Sequence, residues 1–164
     1  MMSTLHGDVE PELTVRIARA IRAAPATVWQ AMLDPQVVAR WWGHLSTSLA
    51  AGAVTTLDLR DGDFSALEVL NVEPPATLAY VERFMGIGPS ATVTWRLTPV
   101  SDGCLLKVTD HAAQRTPADA IAVRRNWLAV TERLTTFVSG GSITSTGGPA
   151  DFEIATELPG DAES

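Results

Sequence analysis

The chain has 164 residues, one cysteine, 46% hydrophobic residues and a formal net charge of −7. That length fits one domain, able to bury roughly two-thirds of its unfolded surface without disulfide or metal staples. The acidic balance argues against nucleic-acid binding, which asks for a basic face. No apolar run nears the roughly twenty residues of a membrane span, so integral membrane association is not expected.

The charge is unevenly placed. Asp151, Glu153, Glu157, Asp161 and Glu163 all follow the last predicted helix with no Lys or Arg beside them, so the body is nearly neutral and the excess belongs to a tail. Residues 139–164, rich in Gly, Ser and Thr and then acidic, are expected to be disordered. Residues 1–11, polar and aperiodic, are expected to fray, which leaves 12–138 as the folded domain. The first residues lack the basic start and apolar run of a signal peptide, and the single Cys104 cannot form an intrachain disulfide, so the expected localisation is cytoplasmic.

Taken in order, Leu13, Val15 and Ile17 alternate with Thr14, Arg16 and Ala18, and Ile21 returns to the apolar parity after Arg19 interrupts it. This predicts a half-buried first strand. After Pro25, Val28, Trp29, Met32 and Leu33 fall at helical spacing. Asp34-Pro35 then closes that helix and opens a second short one, which ends at Gly43.

From His44 to Ala112 the pattern turns to period two in six short runs, at 46–50, 53–59, 64–73, 77–84, 91–100 and 104–112. Gly, Pro and Asp punctuate them: DGD at 61–63, EPP at 73–75, GIGP at 86–89, and SDG at 101–103, which reads as a hairpin. The chain then enters its only long helix. Thr116 suits the N-cap, Pro117 the first turn and Asp119 the positive helix end, and Gly140 and Gly141 are the expected stop. Ala120, Val123, Trp127, Val130, Leu134, Phe137 and Val138 form one apolar stripe along it. The fold class is therefore α+β: a seven-stranded antiparallel sheet with helices segregated to one face.

Several stretches carry a family resemblance: APATVWQAMLDPQVVARWWG at 24–43, EPPATLAYVERF at 73–84, VTWRLTPVSDGCLLKVTDH at 93–111 and NWLAVTERLTTFV at 126–138. Together they resemble the START-like, or SRPBCC, superfamily, and within it the activator of Hsp90 ATPase homologue group. The resemblance implies a helix-grip fold, a curved sheet wrapped around the long C-terminal helix with a deep apolar cavity between them. It also implies a range of roles: lipid or polyketide carriers, polyketide cyclases and aromatases, ligand sensors and self-sacrificing enediyne-resistance proteins.

Strand parity nominates a lining for that cavity. Leu78, Tyr80, Glu82 and Phe84 share one face, as do Val93, Trp95 and Leu97, and Cys104, Leu106, Val108 and Asp110. Trp41, Trp42 and His44 are expected near the mouth, and Val123, Asn126, Trp127 and Val130 come from the helix. Trp42, Trp95 and Trp127 form a candidate stacking platform for a flat ligand, with core packing as the plain alternative. Glu82 and Asp110 are candidate proton-transfer groups, since an unpaired carboxylate facing an apolar space is costly and tends to protonate. Their plain alternative is pairing with an Arg such as Arg83 or Arg96, or a place at a wet rim. His44 is the third candidate.

No metal is expected, because His6, His44 and His111 are scattered without a second ligand at metal spacing. No cofactor is expected either: GIGPS at 86–90 joins two strands and opens no helix, so it is not a phosphate cradle. Cys104 reads as a small buried apolar residue. The leading functional reading is binding or sequestration of a hydrophobic or aromatic small molecule, lipid- or polyketide-like, in bacterial secondary metabolism or self-resistance. The alternative is a polyketide cyclase or aromatase using Glu82, Asp110 or His44. A chaperone co-factor is a subordinate third, and the oligomeric state, monomer or homodimer, stays open.

Overall fold

The structure is a computed structural model that describes residues 14–59 and 62–139. The expected frayed start, the helix stop at Gly140 and Gly141, Asp61 of the DGD turn and the acidic tail after Ser139 lie outside the described residues. The strands are β1 (Thr14–Ile21), β2 (His44–Leu45), β3 (Val54–Asp58), β4 (Phe64–Glu73), β5 (Thr77–Phe84), β6 (Ser90–Val100) and β7 (Gly103–His111). The helices are α1 (Pro25–Leu33), α2 (Pro35–Trp41) and α3 (Pro117–Val138).

All seven strands join one antiparallel sheet in the order β1-β7-β6-β5-β4-β3-β2, so each hairpin pairs with its sequence neighbour and β1 closes on β7. The curved sheet and the long C-terminal helix make this the helix-grip architecture. The short helices follow from the Asp34-Pro35 pair. The Asp34 backbone N–H donates to Gln30 O and ends α1, while its carboxylate accepts from the Gln36 N–H at 3.0 Å and starts α2. The Thr116 hydroxyl accepts from the Asp119 N–H, and the Asp119 carboxylate accepts from the Thr116 N–H, a reciprocal cap that fixes where α3 begins.

The strand expected at 46–50 does not form. Only His44 and Leu45 pair with β3, whereas 46–50 departs from the ladder. Hydroxyls explain the departure: Thr55 Oγ1 accepts from the Thr47 N–H at 3.0 Å, and Ser46 Oγ accepts from the Thr56 N–H at 3.0 Å. Side-chain oxygens there take donors that a regular ladder would have used.

The core lies between the inner sheet face and α3, and it contains a charge. Arg19 sits at the inward parity of β1 between Ile17 and Ile21 and is fully buried, so it belongs to the inner face that it seemed to interrupt. Its Nε donates to Thr131 Oγ1 at 3.0 Å, and one terminal nitrogen donates to the Leu128 carbonyl at 2.7 Å. Thr131 in turn donates to the Trp127 carbonyl at 2.7 Å. These bonds tie the middle of α3 to β1. Arg19→Ala should destabilise the fold by about 3 kcal/mol through lost charged hydrogen bonds and a new cavity, and Thr131→Val by about 1 kcal/mol. Urea titration measures both; an Arg19→Ala variant as stable as the parent would remove this tie from the account.

Candidate functional site

The inward faces of β5, β6 and β7 repeat in cross-strand rows. Leu78, Trp95 and Val108 make one, and Tyr80, Val93 and Asp110 the next. Toward the β5–β6 turn comes Glu82 opposite Ala91, and α3 approaches this end of the sheet with its first turns. The space left between them is a cleft of about 280 Å³ lined by Glu82, Phe84, Pro89, Ala91, Asp110, Arg115, Ala122, Val123, Asn126 and Trp127.

Asp110 is almost fully buried and is satisfied from two sides. Its Oδ2 accepts from Trp127 Nε1 at 2.7 Å, its Oδ1 is ion-paired with the Arg115 guanidinium, and its own carbonyl accepts from the same guanidinium at 2.9 Å. Both ion-pair side chains are 5% exposed. A partner such as Arg83 or Arg96 is thus replaced by Arg115, and the wet-rim alternative does not hold for Asp110. The Arg lies five residues on, in the connection that turns from β7 into α3. A basic residue at that distance from a strand-end acid was the available signal.

Glu82 is bound differently. The Ser65 hydroxyl on β4 donates to Glu82 Oε2 at 2.7 Å, and among the described residues Oε1 has no hydrogen-bond partner. Burial, above all, raises the Glu82 carboxyl from its ordinary range; Ser65 and Arg115 oppose the rise and Asp110 adds to it. Tyr80 stays a phenol, its pKa raised well above the usual value by burial and then by Glu82, with its oxygen accepting from Trp95 Nε1 at 3.0 Å.

Tryptophans pack against one another between the sheet and α3. Trp42 lies 5.3 Å from Trp41, 5.4 Å from Trp95 and 5.9 Å from Trp127, and Trp95 lies 5.5 Å from Trp127, ring centre to ring centre. With Trp95 1% and Trp127 2% exposed, these rings mainly contact one another. Tyr80, Val93, Trp95, Leu106, Val108 and Val130 are packed in the same core. The structure therefore brings Glu82, Phe84, Asp110, Val123, Asn126 and Trp127 together at the cleft and places the other nominated residues behind it. His44 is exposed on β2 opposite Asp58, outside the cleft lining. Residues not foreseen are Pro89, Ala91, Arg115 and Ala122, together with Ser65 behind Glu82. Cys104 is buried, and burial pushes its thiol up, away from the reactive thiolate. Among the described residues no three His, Cys, Asp or Glu side chains gather at metal distance, and no helix is long and apolar enough to cross a membrane.

Residues 22–139 match the family model for Activator of Hsp90 ATPase homolog 1-like proteins. Among solved structures the chain is similar to DynU16, a protein in the dynemicin biosynthetic locus, with 30% identity and a TM-score of 0.77. That match covers 87% of this chain and 59% of DynU16, so the chain spans less than two-thirds of that relative. It is also similar to CalU16 from Micromonospora echinospora, at 25% identity and TM-score 0.66 over 77% of this chain and 76% of that one. The Aha1 dimer from Colwellia psychrerythraea, at 16% identity and TM-score 0.70 over 79% and 98% of the two chains, shares the fold. A search of curated proteins finds no match.

Two predictions follow from the pair of carboxylates. Asp110→Ala should cost about 3 kcal/mol or more, because it strands a buried guanidinium and the Trp127 N–H, and Arg115→Ala should do comparable harm. In a double-mutant cycle by chemical denaturation the two losses should fall short of additivity by at least ~1 kcal/mol; full additivity would refute the pairing. Glu82 carries a pH signature. A carboxyl raised above its ordinary 4.5 binds its proton more tightly when folded, so its stabilising contribution is complete below that value and is lost as pH rises through the raised one. Glu82→Gln should flatten this decline in a series of melting curves; superimposable pH profiles for variant and parent would contradict it.

Proposed function

The chain belongs to the Activator of Hsp90 ATPase homolog 1-like family, and from that premise we propose that its cleft binds a hydrophobic or aromatic small molecule, polyketide-like in character. The observation that carries the reading is the cleft itself, between the β5–β6–β7 end of the sheet and the first turns of α3. Phe84, Ala91, Ala122 and Val123 supply an apolar wall, and Glu82 and Asn126 add a few polar groups, the usual make-up of a small-molecule site. Its volume of about 280 Å³ falls just below the roughly 300–1,000 Å³ common for such sites, which suits a compact ligand or one end of a longer one.

The entrance is apolar as well. Phe84 is 51% exposed and Ile87, in the adjoining turn, is 87% exposed. Similarity to a protein of the dynemicin biosynthetic locus supports a setting in bacterial secondary metabolism, where sequestration, transport and self-resistance all rest on the same binding step. A second reading, a cyclase or aromatase, is favoured by one feature: a carboxyl of raised pKa at the cleft wall can act as a general acid toward a carbonyl.

Incubation with polycyclic polyketides, flavonoids and fatty acids followed by native mass spectrometry tests both readings. A one-to-one complex with a flat polycyclic compound, recovered unchanged, is the expected result. Ala122→Trp, which fills the cleft from an exposed helix position, should weaken it at least ~10-fold. Unimpaired binding by that variant would place the ligand elsewhere, and a recovered ligand that had lost water would shift the reading to the cyclase.

A further inference from the structure

The charges on the cleft wall do not balance. Glu82, Asp110 and Arg115 are its ionisable residues, two acids against one base. Asp110 and Arg115 are spent on each other: the guanidinium pairs with Oδ1 and donates to the Asp110 carbonyl, while Oδ2 accepts from Trp127 Nε1. Both side chains of that pair are 5% exposed. An anion entering the cleft would find no cation left to answer it, and the negative charge left over belongs to Glu82.

Glu82 has one oxygen to offer. Its Oε2 is bonded to the Ser65 hydroxyl at 2.7 Å, and Oε1 has no hydrogen-bond partner among the described residues. Asn126, on α3, lines the same cleft, is exposed and makes no hydrogen bond among the described residues. Its amide oxygen can serve as a second acceptor. Phe84, Pro89, Ala91, Ala122 and Val123 bring no polar side-chain atom to the wall, and the Trp127 N–H is taken by Asp110. An otherwise apolar space thus holds one uncompensated carboxyl group with a free amide beside it.

Resting on the binding function proposed above, we infer that the cleft takes a ligand bearing a protonated amine, held by Glu82 Oε1 with the Asn126 amide oxygen as a second acceptor. An ammonium group supplies three N–H donors and the one positive charge that the wall lacks. An alcohol supplies a donor without the charge, and a carboxylate adds to the imbalance. The apolar side chains then enclose the rest of the ligand, whatever its shape. Burial by itself resists ionisation of Glu82, and a cation held against Oε1 favours the charged form again.

The test compares the aminomethyl, hydroxymethyl and carboxyl derivatives of two compact cores, naphthalene and adamantane, titrated calorimetrically into the full chain at mildly alkaline pH. On a core that binds, the amine should bind about 10-fold more tightly than the alcohol, the worth of one charge-assisted hydrogen bond, and the acid should bind most weakly. Glu82→Gln removes the charge and should bring amine and alcohol within about three-fold of each other. Asn126→Lys sets a cation beside Glu82 from an exposed helix position that tolerates lysine, and it should close the same gap, so a Glu82→Gln chain that failed to fold would not end the test. An amine drawn only by the chain's net charge of −7 would keep its margin in both variants. A margin kept by folded Glu82→Gln or by Asn126→Lys overturns the inference, as does tightest binding of the acid to the parent chain. Equal binding of amine and alcohol to the parent chain also overturns it, while leaving the cleft as a binding site. Failure of every probe to bind overturns the binding function and the inference together.

Discussion

A carboxylate placed among apolar side chains must be paired or it costs several kilocalories per mole, and Asp110 meets that requirement by drawing donors from two different parts of the chain. Trp127 reaches it from α3, and Arg115 reaches it from the connection that precedes that helix. Arg19 imposes a parallel constraint from β1, since its guanidinium donates to Thr131 and to the Leu128 carbonyl. The two ties grip residues 127, 128 and 131, within about one helical turn of one another. Apolar contact alone is non-directional, and a greasy helix on a greasy sheet can slide or roll with little penalty. Directional bonds at adjacent positions fix the register of α3, and with it the width of the space ahead of Trp127.

That register decides where room for a ligand is left. Four indoles, Trp41, Trp42, Trp95 and Trp127, occupy the depth between sheet and helix with ring centres 5.3 to 6.5 Å apart. Contacts at such distances satisfy the rings against each other, so the interior behaves as core. Space is left at the cleft, where Ala91 and Ala122 are small, and there the wall includes Glu82. The helix-grip fold thus holds a cleft at one end of its sheet, ahead of Trp127.

Most of the architecture was legible in the sequence because it rests on local periodicity. The runs at 64–73 and 77–84 match β4 and β5, and the Thr116 cap with its Pro and Asp marks the start of α3. What escaped depends on partners distant in sequence. Arg19 looked like a break in alternation, since nothing nearby announces that Thr131, more than a hundred residues on, will accept from it. Arg115 escaped although its partner Asp110 is only five residues away, because it lies in a connection where no periodicity assigns a face. The strand at 46–50 failed for a local reason: Ser46, Thr47 and Thr55 have hydroxyls that compete with the ladder. At the site, parity correctly put Tyr80, Glu82 and Phe84 on one face but could not say how far along it the tryptophans would fill the space.

The two carboxyl groups also bear on whether such a cleft binds or transforms its ligand. A general acid must give up its proton in the transition state, which requires an environment that welcomes its conjugate base. The Glu82 carboxylate would be supported by one Ser65 hydroxyl and by Arg115, whose charge is largely spent on Asp110, while Asp110 itself repels it. Tyr80 could not replenish the proton readily, because it is buried behind the cleft with its pKa raised well above the usual value. A group that is easily protonated can hold a hydrogen bond or serve as a general acid, and Ser65 and Arg115 are the contacts that would support it once ionised.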